Sequence, residues 1–232
     1  MTVRGREPPE GYAWRVLRHP RLSDRTLVRY GLRRLTLGTL ELPTGRILVG
    51  DPTAYTKDLV PLAERVAPGR YPVYAYQKSF TYDSWDHFIL ALVELRISDA
   101  PPASHALALR EGQGPETDIY DASYAVEAAA GCFCDAAAKP HLVYAEENYD
   151  PEGDDDVNLL DLAFASDEGL EHRFKSTDLN AFFFRTGDGD GSYPCYWAYD
   201  SSGAPARLIT SFGIVEKEFE WEAGFPEPFR AP

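Results

Sequence analysis

Gly69-Arg70-Tyr71-Pro72-Val73-Tyr74 and Gly191-Ser192-Tyr193-Pro194-Cys195-Tyr196 are two copies of one hexapeptide pattern, Gly-x-Tyr-Pro-x-Tyr. Each reads as a turn that delivers the chain into an aromatic strand. Proline lacks the N–H that a central ladder needs, so it belongs on an edge or among a strand's first residues. The second copy follows a glycine and aspartate run, Thr186-Gly187-Asp188-Gly189-Asp190, that no ordinary core strand requires. Two aromatic strands with polar turns in front of them set the expectation of a β-rich fold whose strands are neighbours around a common hollow.

The flanking sequence extends that pattern. Leu35-Thr36-Leu37-Gly38-Thr39-Leu40-Glu41-Leu42 alternates with near period 2 and predicts a strand. Pro43-Thr44-Gly45 is a turn, and Arg46-Ile47-Leu48-Val49 a second strand, so the pair predicts a hairpin. Residues 59–67 suggest a short helix before Pro68-Gly69, and residues 88–97 form the longest apolar run, a strand buried on both faces or a core helix. Strand fragments follow at 124–126 and 132–133. Asp135 caps an alanine run that opens a helix if Pro140 lies near its start and closes a single turn if it does not. Residues 146–156 are polar and acidic and read as a surface loop. Residues 158–164, 181–185, 193–199 and 208–215 are further strand candidates, the last two joined by the turn Asp200-Ser201-Ser202-Gly203. The fold class expected is mainly β (strand-dominated α+β): two packed antiparallel sheets, or one strongly curved sheet, with a few short helices. Residues 1–34 read as an arginine-rich arm with a short helix at 24–33, and residues 35–232 as a single β-rich domain.

With 232 residues the chain can bury a substantial core. Its hydrophobic fraction of 44% and charged fraction of 26% are those of a soluble globular protein. No segment approaches the ~20 apolar residues that span a bilayer, and no apolar stretch follows the charged N-terminus, so neither membrane nor signal peptide is expected. Three cysteines, Cys132, Cys134 and Cys195, are too few for a disulfide scaffold and fit a reducing, cytoplasmic setting. The net charge is −14, although nine arginines up to Arg34 face only Glu7, Glu10 and Asp24. An acidic body repels phosphates, so nucleic acid is not expected as a partner.

The order of motifs carries a resemblance. Leu42-Pro43-Thr44-Gly45-Arg46-Ile47 with Gly50-Asp51-Pro52 comes first, followed by Pro68-Gly69-Arg70-Tyr71-Pro72-Val73. Then come Tyr124-Ala125-Val126-Glu127 with Gly131-Cys132-Phe133-Cys134-Asp135, and the run from Gly187 to Trp197. This series resembles the bacterial DUF4241 family, whose function is unknown, over roughly residues 35–215. The resemblance implies a single strand-rich domain and supplies no catalytic residues. Relatives tend to carry an aspartate and a Gly-Thr pair where this chain has Glu127 and Ala129-Ala130, and a glycine in place of Ala198.

Candidate site residues come from the turns. Asp51 ends a strand, Glu127 and Asp135 flank a short turn, and Asp188 and Asp190 sit beside tyrosines. Two carboxylates converging in an aromatic pocket could split their pKa values and serve as acid and base. Asp188-Gly189-Asp190-Gly191-Ser192 begins like a calcium loop, but Tyr193 and Tyr199 stand where an EF-hand needs glycine and glutamate. Another divalent-cation geometry stays open, against the simpler reading of a tight turn whose aspartates bond their own backbone. Tyr71, Tyr193, Tyr196, Trp197 and Asn180 are the candidate ligand-binding residues, although strand alternation sends about half of such aromatics to the core. Cys132 and Cys134 read as buried small hydrophobes rather than zinc ligands.

Two functions fit these residues. One is a cytoplasmic, acidic interaction module of the immunity-protein kind, whose negative face meets a basic protein partner. The other is a small-molecule enzyme of hydrolase or lyase type, using the turn carboxylates in a tyrosine-lined cleft, with a divalent cation as candidate cofactor.

Overall fold

The computed structural model describes residues 31–82, 85–148, 161, 166, 169–187 and 189–214. Twelve strands account for most of them. In chain order they are β1 (Leu32–Leu42), β2 (Ile47–Gly50), β3 (Gly69–Tyr82), β4 (Trp85–Arg96), β5 (Ser104–Leu107), β6 (Tyr124–Val126), β7 (Ala130–Asp135), β8 (Leu170–Arg173), β9 (Asn180–Arg185), β10 (Gly191–Tyr193), β11 (Cys195–Tyr199) and β12 (Pro205–Ser211). Two short α-helices, α1 (Ile119–Ala122) and α2 (Lys139–Glu147), and two 3-10 turns complete the described elements. The fold is strand-dominated, as the composition implies.

The strands form a six-stranded sheet in the order β1-β3-β4-β12-β11-β5, a four-stranded sheet β2-β7-β9-β8, and a β10-β6 ribbon. All pairings are antiparallel. Side-chain alternation builds the core between the two larger sheets. Val73, Ala75, Val93, Leu95, Trp197, Tyr199 and Leu208 point inward from the six-stranded sheet. Ile47, Val49, Phe133, Phe182 and Phe184 meet them from the other, and Tyr124, Val126 and Tyr193 of the ribbon close one end. The intervening residues of β7 and β9, Cys132, Cys134, Ala181 and Phe183, face outward beneath α2 and Phe174.

Asn180 locks the two sheets together. Its Oδ1 accepts from the Glu41 amide at 2.8 Å, and its Nδ2 donates to Thr39 O and Glu171 Oε1, both at 2.8 Å.

Several expectations change here. Residues 35–49 are no hairpin: β1 pairs with β3, while β2 pairs with β7 in the other sheet. The turn between them is a corner, with Thr44 amide and hydroxyl both donating to the Asp135 carboxylate at 2.9 and 2.7 Å. All four residues of β2 are buried, which a two-stranded ribbon with one wet face would not require. Residues 59–67 form no helix. Pro61 disfavours helical backbone at the residue before it, and the segment runs along the edge of β2, with Leu62 N–H donating to Ile47 O at 2.8 Å and Ala63 N–H to Leu109 O at 2.8 Å. Leu32 and Arg33, read as the end of a helix, belong to β1; residues 24–30 of that helix lie outside the described residues. The acidic stretch at 146–156 begins inside α2, and the rest of it from 149 lies outside the description. Of the strand expected at 158–164 only Asp161 is described, and it is helical.

The two hexapeptide strands share a sheet but are not neighbours: β4 and β12 separate β3 from β11. Pro72 lies early in β3, just before that strand's ladder to β4 begins at Val73, so its missing N–H breaks no rung there. Pro194 falls in the gap between β10 and β11, and its carbonyl accepts from the Ser211 amide at 3.2 Å.

Candidate functional site

The second hexapeptide copy, α1 and the end of β12 enclose a cleft of about 230 Å³. Asp118 caps α1, its carboxylate accepting from the Asp121 amide at 2.9 Å. That short turn presents Ile119, Tyr120 and Ser123 to one wall, and Tyr193, Pro194 and Phe212 form the other. Tyr193 and Phe212 meet edge to face with ring centroids 5.3 Å apart. Tyr193 is fixed from its far end: its hydroxyl donates to Thr186 O at 3.0 Å and Gly189 O at 2.7 Å. The glycine and aspartate run thus serves as a turn closed over the tyrosine. Tyr120 is 80% exposed, the largest exposure among the big apolar side chains described. Singly exposed aromatics are ordinary, but here the exposed ring adjoins an apolar cleft, and contiguous apolar surface of that kind marks interaction sites. Exposed Glu116, Asp118 and Asp121 stand around it in the chain, while the Arg110 guanidinium lies behind, donating to Asp121 O at 3.3 Å and Ser123 O at 2.9 Å. Burial lowers the Arg110 pKa from its usual value.

The predicted carboxylates divide into two groups. Asp51, Glu127 and Asp190 gather at the turn between β6 and β7. Asp51 Oδ2 accepts from the amides of Glu127 and Ala128 at 2.9 and 3.2 Å, and its Oδ1 from the amide and hydroxyl of Thr53. Asp190 Oδ1 accepts from the Ala129 amide at 2.8 Å, which holds Ala129 at φ 49°. Glu127 is exposed and accepts from the Tyr55 hydroxyl at 2.5 Å; this bond and the glutamate's charge push the Tyr55 pKa up. Asp135 sits at the opposite end of β7, where it holds Thr44 and the Ala137 amide. Asp188 lies outside the described residues. None of the described carboxylates lines the cleft. Among the described residues, no three His, Cys, Asp or Glu side chains are placed to share a metal ion.

The predicted ligand-binding residues are likewise dispersed. Tyr193 alone lines the cleft. Tyr71, on β3, donates to Ala67 O at 2.6 Å and takes no part in the cleft. Trp197 fills the inter-sheet core, Tyr196 faces the opposite side of β11 against Leu107 and Leu109, and Asn180 is the sheet tie described above. The three thiols are buried. Cys132 is pushed up by its thiol hydrogen bond with Cys134 and by burial, and Cys195 to about 12 by burial, so neither supplies a thiolate nucleophile at neutral pH.

Two features of the site had weak signals in sequence. Tyr120 stands alone between acids, with no periodicity to mark it. Phe212 lies just past the end of β12, a strand whose outward and inward residues cannot be told apart without its partners.

The sequence model of a family described as a protein of unknown function, DUF4241, matches residues 40–210, nearly the whole of the two-sheet body and the cleft. No curated protein and no solved structure matches the chain. The match runs unbroken through β2, β7, β9 and both hexapeptides, the parts from which the core is built, and on that ground the chain belongs to the DUF4241 family.

Proposed function

We propose that this protein is an acidic interaction module that holds a basic protein partner at the α1 cleft. An apolar side chain of the partner enters between Tyr120 and Tyr193, and a neighbouring lysine or arginine meets Asp118 and Asp121. The observation that carries this reading is Tyr120, 80% exposed at the mouth of an apolar cleft and flanked by exposed carboxylates. Aromatic anchors in pockets with charged rims are the features that dominate binding energy at protein interfaces. The net charge of −14 adds long-range attraction for a basic partner and speeds encounter at low salt.

The catalytic reading draws less support. Asp51, Asp135 and Asp190 already accept backbone amides and lie away from the cleft, an arrangement suited to holding turns. A cytoplasmic setting remains part of the proposal; the described residues contain no helix long and apolar enough to cross a membrane.

The test is capture of partners by wild type, Tyr120→Ala and Asp118→Asn/Asp121→Asn in parallel, at low and physiological salt. A bound protein should weaken at least tenfold with Tyr120→Ala, the loss of one aromatic anchor worth about 2 kcal/mol. The double asparagine variant should chiefly lose its low-salt advantage. Binding indifferent to all three substitutions would remove the cleft from consideration.

A further inference from the structure

Away from the cleft, the outer face of the six-stranded sheet buries more positive than negative charge. Arg96 and Arg207 are cross-strand partners on β4 and β12; Glu94 stands one rung along, and Ala198 and then His105 continue the row on β11 and β5. Glu94 is wholly buried and already committed: Tyr76 donates its hydroxyl to Oε2, and Arg96 Nε donates to Oε1 at 2.8 Å. Arg96 is further held by the Tyr74 ring, 4.4 Å from its guanidinium carbon. Arg207 is left over. It is 4% exposed, its Nε stands 3.6 Å from Glu94 Oε1, and neither Nε nor Nη1 makes a hydrogen bond among the described residues.

A guanidinium cannot escape burial by losing its proton, since its pKa stays far above neutrality. Its unbonded N–H groups therefore carry the full cost of lost hydration. Exposed Asp99 stands 3.8 Å from Arg96 Nη1, but the one buried carboxylate, Glu94, is shared between both guanidinium groups, which leaves Arg207 without a carboxylate of its own. Ala198, the cross-strand neighbour of Arg207, carries only a methyl group between the arginine and His105, and both neighbours are buried. We propose that Arg207 is the anchor of a binding site for a small oxyanion, a carboxylate or phosphate group, on this face of the sheet. The anion's oxygens accept from the unbonded Arg207 nitrogens and neutralise the surplus charge, while Glu94 keeps Arg96 and Tyr76 in place. The site is independent of the partner cleft, so either assignment can fail without the other.

Thermal unfolding of the full chain, measured against phosphate, acetate and chloride at matched ionic strength after overnight equilibration, provides the test. Phosphate or acetate should raise the midpoint by about 3–5 °C for each tenfold excess over its Kd, growing with the logarithm of concentration. Chloride should not, and whichever of the two oxyanions acts identifies the group recognised. Arg207→Met should abolish the shift, and Arg207→Lys should weaken it at least tenfold in concentration. Should Arg207→Met fail to fold, Glu94→Gln serves instead: removing the competing carboxylate should tighten oxyanion binding. A wild-type midpoint indifferent to both oxyanions, or a shift that survives Arg207→Met, overturns the proposal.

Discussion

The backbone N–H of Glu127 donates to Asp51 Oδ2 at 2.9 Å, joining residues 76 positions apart. With the Ala128 amide on the same oxygen and Thr53 on the other, a buried carboxylate ties the end of β2 to the turn between β6 and β7. Asp51→Ala leaves three amides and a hydroxyl without their acceptor, so a loss of about 2–4 kcal/mol is expected. Asp51→Asn fits the space but sets an NH2 donor against backbone donors, and about 1–3 kcal/mol should go. Urea unfolding at neutral pH measures both; unchanged midpoints would mean that the turn holds without its clamp.

Gly45 and Gly112 make a matched comparison. Both have positive φ, 66° and 91°. A Cβ on Gly45 would stand 2.0 Å from the Val66 carbonyl oxygen, whereas one on Gly112 meets nothing within 4 Å. Gly112→Ala should cost about 1–2 kcal/mol from backbone conformation alone. Gly45→Ala adds displacement of the chain along β2 and should cost about 3 kcal/mol or more. Equal losses would show that the corner between the sheets yields without strain.

His172 gives stability a pH dependence of known sign. It lies against Phe174 and Phe183, with ring centroids 5.1 and 6.0 Å away, and burial lowers its pKa from the ordinary imidazole value. On acidification the unfolded chain takes up this proton first, near pH ~6.5. The contribution of His172 is therefore complete above that pH and is lost as pH falls towards the folded-state value. His172→Gln should flatten this part of the profile. Unfolding midpoints of both proteins between about pH 5 and 8 check it; a constant difference across the range would contradict the assignment.

Asn180 is the tie between β1 and β9, and its amide group uses both ends. Asn180→Leu keeps the volume but leaves the Glu41 amide and the Thr39 carbonyl unmet, at an expected cost of about 2–3 kcal/mol. Amide exchange should quicken at residues 39–41 more than in the middle of β4. Uniform acceleration would mean that the sheets part only on global unfolding.

Local chemistry carried most of the fold. The aromatic run at 181–185, the apolar run at 88–97 and the turn at Asp200 become β9, β4 and the β11–β12 hairpin, because each element's own residues decide its ends. Pairing partners were not legible. Pro43-Thr44-Gly45 has hairpin composition, yet its conformation is set by Asp135, some ninety residues on. Carboxylate roles were hidden for the same reason: an aspartate that clamps a distant amide and one that performs chemistry look alike in sequence. The Glu94–Arg207 cluster did leave a trace, a glutamate inside the longest apolar run, where solvation is scarce and a cation must come from elsewhere.

The order β1-β3-β4-β12-β11-β5 places the last described strand in the middle of its sheet. During translation, β1, β3 and β4 can join as a meander soon after leaving the ribosome, but the far side of β4 must wait more than a hundred residues for β12. Until then Val93 and Leu95 sit in a strand with open amides and carbonyls, a template for other nascent chains. Closure through so distant a segment is slow. The newly made protein should therefore lean on chaperones, and truncation before residue 205 should yield aggregates rather than a smaller folded product.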